Sequence, residues 1–337
     1  MSARRLRAPT NAERRAGRRR AQRPGTRTRL WVWLAAVGLV AIGIAIFAGV
    51  RFSADSGGAA KVGQPASNAV ASTGANGELS QIRAGDFHSL AISPLDSKHI
   101  LFGSHGGVIS SSDGARSWSK TSLSAPNDDA MGLGFATGTS VVYAGGHDIY
   151  AKSTDGGLNW TRISSNLPGT DIHGFAAAAD NASRLYANVV GSGLYRTDDG
   201  GEAWTRVNVT ATADVMSLSA SSKDVLFAVS MRGGVLKSTD GGATFNSTAK
   251  LPRTVTAAAA SADPNVVYAG TDSGFFASAD GGATWTERTP SGGGQPMVSA
   301  VSPSDPRDVV VVMVRDDRVG HVFRSNDGGV TWTAGQP

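Results

Sequence analysis

The chain has 337 residues, 43 of them glycine and none cysteine, with a hydrophobic fraction of 40%. This excludes disulfides, cysteine-ligated zinc and thiol nucleophiles, and it excludes collagen and wholesale disorder, leaving a globular chain rich in tight turns. The net charge of +5 is unevenly placed: residues 1–29 hold 11 arginines and a single acid, Glu13, so that 21 basic and 26 acidic residues follow, and no nucleic-acid partner is expected of the acidic remainder.

Residues 1–29 are read as a basic cytoplasmic tail. Residues 30–50 then run 21 positions without a charge between Arg29 and Arg51, long enough for a helix to span roughly 30 Å of hydrocarbon. Trp31 and Trp33 stand at the arginine-flanked end, and the positive-inside rule keeps that end cytoplasmic. The expectation is one transmembrane signal anchor with the remainder extracellular; the alternative is a cleaved signal peptide and secretion. Residues 51–77 are rich in Gly, Ala and Ser without apolar periodicity, the composition of a flexible linker.

Residues 78–337 carry one pattern six times. Its second copy is Ser153-Thr154-Asp155-Gly156-Gly157-Leu158-Asn159-Trp160, and its aspartates are Asp113, Asp155, Asp199, Asp240, Asp280 and Asp327, spaced 42, 44, 41, 40 and 47 residues apart. A period near 43 with four short strands per unit is that of a β-propeller blade. The expected fold is therefore all-β, a six-bladed propeller preceded by one N-terminal transmembrane helix. In the third unit the strands are placed near His173–Ala176, Arg184–Ala187, Gly193–Arg196 and Ala203–Arg206, and the Asp-Gly-Gly segment makes the turn between the third and fourth.

The segment resembles the Asp-box, or bacterial neuraminidase repeat, of sialidases, xyloglucanases, sortilin-type receptors and bacterial proteins labelled glycosyl hydrolases. Ala115 replaces the second glycine in the first copy, Thr197 the serine in the third, and Phe245 the tryptophan in the fourth. The six aspartates are read as structural, each accepting N–H groups of its own turn, with the aromatic five residues later filling the space between blades.

In such a blade the start of strand one and the turn after strand two share the face opposite the boxes, and strand one lines the channel. That column reads His88, Met131, His173, Met216, Thr256 and Met297, with His105, His147 and Met231 near the end of strand two. Imidazole and thioether together suit soft metals, above all copper. The other reading is methionines that fill the channel and histidines that hydrogen-bond across it.

Two residues before the column stand Asp86, Asp129, Asp171 and Asp214. They are candidates to orient the histidines, or to act as the paired carboxylates of a glycosidase; solvated strand-start carboxylates are the plain alternative. The resemblance to sialidases implies three substrate-binding arginines and a Tyr–Glu nucleophile. The column offers no arginine, Glu202 and Glu287 lie in or just after boxes, and Tyr143, Tyr186 and Tyr268 share an apolar position with Phe102 and Phe227. The leading expectation is thus a membrane-anchored binding protein with a His/Met copper site, the next a glycoside hydrolase using the aspartates, and the third a protein-binding scaffold; the partners weighed are a metal ion, a glycan and a protein.

Overall fold

A computed structural model of the chain describes residues 77–208, 215–222, 224–230 and 232–332. The tail, the apolar segment 30–50 and the linker up to residue 76 lie outside the described residues, as do Asp214 and Met231. Among the described residues no helix is long and apolar enough to cross a membrane.

Six four-stranded antiparallel sheets follow one another along the chain. Blade 1 starts with Ser89–Ile92, blade 2 with Gly132–Phe135, blade 3 with Ile172–Ala177, blade 4 with Val215–Ala220, blade 5 with Thr254–Ala259 and blade 6 with Gln295–Ser302. In blade 3 the remaining strands are Leu185–Val189, Gly193–Thr197 and Thr205–Asn208, so Trp204 precedes the fourth strand.

The sixth sheet departs from simple repetition. Its outermost strand is Glu78–Ile82, which pairs antiparallel with Gly320–Ser325. The first strand of the propeller therefore completes the last blade. This closes the ring and covers an edge that would otherwise present unpaired N–H and C=O groups.

The apolar residues collect into six clusters, each at a seam between two blades. At the seam of blades 2 and 3, Tyr143 and Tyr150 meet Phe175, Leu185 and Trp204; at that of blades 6 and 1, Val298 and Val312 meet Phe102 and Trp118, with Leu79 and Ile82 of the closing strand. Each seam holds the aromatic of one box: Trp118, Trp160, Trp204, Phe245, Trp285 or Trp332. Strand two is buried on both faces, which explains the near-continuous apolar runs; Phe102, Tyr143, Tyr186, Phe227 and Tyr268 are all buried there.

The boxes have one local geometry. Asp155 accepts the N–H groups of Leu158 and Asn159 at 3.1 and 2.9 Å and the Asn159 amide at 2.7 Å. Ser153 Oγ donates to Asp155 at 2.7 Å and accepts Gly157 N–H at 2.8 Å. Gly157 has φ +90°, where an added Cβ would also press against a Leu101 methyl at 2.5 Å. Ala115 holds the same place in the first box at φ 76°, the left-handed region that ordinarily favours glycine.

Candidate functional site: a histidine–aspartate arc at the channel mouth

The channel is lined by strand one of every blade, through residues such as Ser89, Met131, His173, Ser217, Thr256 and Ser299. In four blades strand one carries a β-bulge at its start, between Ile172 and Gly174, Val215 and Ser217, Thr254 and Thr256, and Pro296 and Val298. The extra residue is His173, Met216 or Met297 in blades 3, 4 and 6, and Val255 in blade 5. The expected column is therefore a bulge position, and Thr256 belongs one residue beyond it. A bulge adds a residue that even spacing does not reveal.

The described residues of the column are not gathered into one ring of His and Met. Met297 packs against the apolar seam of blades 6 and 1, Met216 is half-buried on its bulge, and Met131 lines the channel. What converges is an arc of imidazoles and carboxylates across blades 1–3, comprising Asp86, His88, His105, Asp129, His147, Asp171 and His173.

Local turns deliver these groups. Ser104 pairs with Gly107 and Gly146 with Ile149, so His105 and His147 each open a two-residue hairpin, the tightest connection available to antiparallel strands. Asp148 completes the second of these turns at φ 55° and accepts the Thr170 hydroxyl at 3.0 Å. A Cβ at Gly146 would overlap the Asp129 carbonyl, so the glycine permits the approach that brings His147 onto Asp129.

The arc alternates charge type and steps from blade to blade. Asp86 pairs with His105 Nδ1, accepts the His105 backbone N–H at 2.8 Å, and lies 3.4 Å from His88 Nε2. Asp129 Oδ2 meets His105 Nε2 at 3.1 Å and pairs with His147 Nδ1. Asp171 Oδ1 lies 3.3 Å from His147 Nε2 and 3.1 Å from His173 Nε2. The imidazoles also meet one another, His88 with His105 at 3.2 Å and His147 with His173 at 2.9 Å between Nε2 atoms. The adjacent Asp128 is held differently, by Arg162 at 2.6 Å.

The electrostatics follow from this alternation. Asp129 and Asp86 together raise the His105 imidazole to about 10, and Asp129 raises His147. Burial pushes Asp129 up, but His105 and His147 outweigh it and hold the carboxyl at about 2. Burial is outweighed in the same way at Asp86, where His105 and His88 hold the carboxyl well below the usual range, and the His173 imidazole beside Asp171 lowers that carboxyl too. A glycosidase needs one carboxyl kept protonated near neutrality by a raised pKa. All three aspartates of the arc are shifted the other way.

The remaining histidines have other work. His99 Nε2 meets the Gly156 carbonyl at 2.6 Å and ties blade 1 to the box of blade 2. His321, 3% exposed, contacts Glu78 through Nδ1 at 2.9 Å and anchors the closing strand.

The sequence model of the family described as photosynthesis system II assembly factor YCF48 matches residues 86–253, about half of the chain. No sequence among curated proteins matches. Among solved structures, YCF48 from Cyanidioschyzon merolae is 20% identical, covers 75% of this chain and 87% of its own, and has a TM-score of 0.49. The GH74 xyloglucanase from Xanthomonas campestris is 16% identical over 76% of this chain, with a TM-score of 0.53, and the similarity spans 46% of the enzyme's length. A structure of YCF48 bound to a D1 peptide is 16% identical, covers 73% of this chain and 95% of its own, and has a TM-score of 0.45. Six Asp-box turns, six four-stranded sheets and the family match together identify the chain as a BNR/Asp-box-like β-propeller.

Proposed function

We propose that the chain is a protein-binding propeller that holds a segment of a partner protein at the channel mouth of blades 1–3. The observation that carries this reading is the match of residues 86–253 to a family described as an assembly factor. That match starts at the first aspartate of the arc and includes all seven of its residues. The xyloglucanase likeness is one of fold, and fold alone does not transfer a reaction; the lowered carboxyls of the arc also disfavour glycoside hydrolysis. Tethering of the propeller to a membrane through residues 30–50 belongs to the same proposal and is supported by the uncharged run and its flanking arginines.

The test uses the full chain in its native membranes with a photo-reactive residue at Gly106, in the exposed turn beside His105. A control position is Val330, 62% exposed on the opposite, Asp-box face. A defined protein cross-linked from position 106 and not from 330, with saturable binding of its segment to the purified chain, is the expected result. Since YCF48 has been solved with a D1 peptide, that peptide is a first probe. Cleavage of xyloglucan or a sialoside by the purified chain, with no protein cross-linked at the mouth, would overturn the reading.

A further inference from the structure

We infer that the blade 2–blade 3 end of the arc is a binding site for one divalent first-row transition cation, held by His147 Nε2, His173 Nε2 and Asp171 Oδ1, with Asp129 positioning His147 from behind. The three inner atoms form a triangle with edges of 2.9, 3.1 and 3.3 Å. Ligands bonded at about 2.0–2.1 Å in a tetrahedral site stand roughly 3.3 Å apart. An ion capping this triangle therefore reaches all three atoms with little movement of the side chains.

The hydrogen bonding supports a ligand set over a self-contained network. Asp129, 6% exposed, pairs through Oδ2 with His147 Nδ1. With its proton on Nδ1, His147 turns the lone pair of Nε2 toward Asp171 and His173. This is the carboxylate–histidine–metal arrangement, in which an outer carboxylate fixes the tautomer and orientation of a ligating imidazole. The Nε2 atoms of His147 and His173 then face each other at 2.9 Å, a contact that a shared cation satisfies from both sides.

Asp171 Oδ1 gives the second observation. It is shielded from solvent and accepts no hydrogen bond, although two imidazole nitrogens lie beside it; Asp129 Oδ1 is likewise buried and unpartnered. A carboxylate oxygen that lacks a donor, beside two imidazole nitrogens that have only each other, is what a small cation would satisfy. Two imidazoles and one carboxylate on one face suit zinc, copper(II), nickel or iron(II) and leave coordination positions open. Those positions face the mouth, where His147 and Asp171 side chains are 38% and 48% exposed. Thioether takes no part in this triangle, so the expectation of a soft His/Met copper site narrows to a nitrogen–oxygen site.

The test is titration of the metal-stripped full chain with Zn²⁺ and Co²⁺, with no partner present, so its outcome is independent of the protein-binding proposal. One equivalent of Zn²⁺ is expected, with Co²⁺ giving a visible spectrum characteristic of low coordination number. Asp171→Asn and His173→Ala should each weaken binding at least 100-fold. Asp129→Asn should weaken it about 10- to 100-fold, the usual effect of an outer carboxylate, and Met131→Leu should leave it unchanged. Thermal melts check that each variant is folded; Asp171, half-exposed, is the substitution least able to disturb folding. Absence of stoichiometric binding by the wild-type chain, or unchanged affinity in folded Asp171→Asn and His173→Ala, overturns the assignment. So does tight Cu(I) binding that is lost in Met131→Leu and kept in Asp171→Asn.

Discussion

At the residue scale the Asp-box aspartates and the arc aspartates are the same side chain put to different uses. A box carboxylate is satisfied by donors within five residues of itself: Asp280 by the Thr284 hydroxyl at 2.6 Å and N–H at 2.8 Å, and by Ser278 at 2.7 Å. These donors hold Asp280 at about 2, and those of Asn159, backbone N–H first, do the same for Asp155. A carboxyl whose folded pKa is depressed contributes stability that is present above its unfolded value, about 3.9, and is lost as pH falls through the folded value. The boxes' contribution to the denaturation midpoint should thus be constant above pH 5 and decline between about pH 4 and 2, whereas the raised His105 brings a separate fall as pH rises from about 6.5 toward 10. The double variant Asp155→Asn/Asp280→Asn should begin lower and decline less steeply; a slope equal to wild type would refute this account. That behaviour was legible in the motif, because every donor is local. The arc was legible only in part: residue types and a shared face could be read, whereas the sharing of Asp129 between His105 of blade 1 and His147 of blade 2 arises from the packing of blades.

At the scale of the element, the closing strand Glu78–Ile82 is the least repetitive part of the propeller. Its register carries a bulge between Glu78 and Ser80, and its ends are pinned by polar contacts and apolar burial together. Glu78 is buried against His321 at 2.9 Å and Arg315 at 3.5 Å, while Trp118 Nε1 donates to Ser80 Oγ at 3.1 Å. Removing one member of a buried ionic group leaves the others desolvated without compensation, typically at a cost of about 3–5 kcal/mol. Glu78→Ala should therefore destabilise by about 3 kcal/mol in denaturant titrations, and Glu78→Gln by less. A loss below about 1 kcal/mol in Glu78→Ala would show that apolar packing of Leu79 and Ile82 holds the strand unaided. Nothing in the sequence around Glu78 marks its role in closure, which depends on a partner 243 residues away.

At the scale of the whole molecule, six seams of equivalent design form a ring, and the ring has one non-covalent joint. Deleting residues 1–82 would uncover the strand Gly320–Ser325 as an open edge and strip Leu79 and Ile82 from the seam of blades 6 and 1. Open edges associate with one another. The truncated chain should elute as dimers or larger species and unfold over a broader transition. A monomer with wild-type cooperativity would show that the ring does not need its joint. The same closure bears on the geometry of the arc, which lies on blades 1–3, because blade 1 packs directly against the joint.

The sequence by itself determined the blade count, the Asp-box turns, the apolar strand-two positions and the face on which His and Asp collect. Each follows from spacing within about 43 residues, the range over which strand period and turn chemistry act. The tertiary structure decided the rest: the closing strand, the bulges that shift Thr256 off the column, the packing of Met297 against a seam and the joining of seven side chains into one arc. These depend on contacts between blades, where close packing and the pairing of buried charges select among arrangements that local sequence leaves equal.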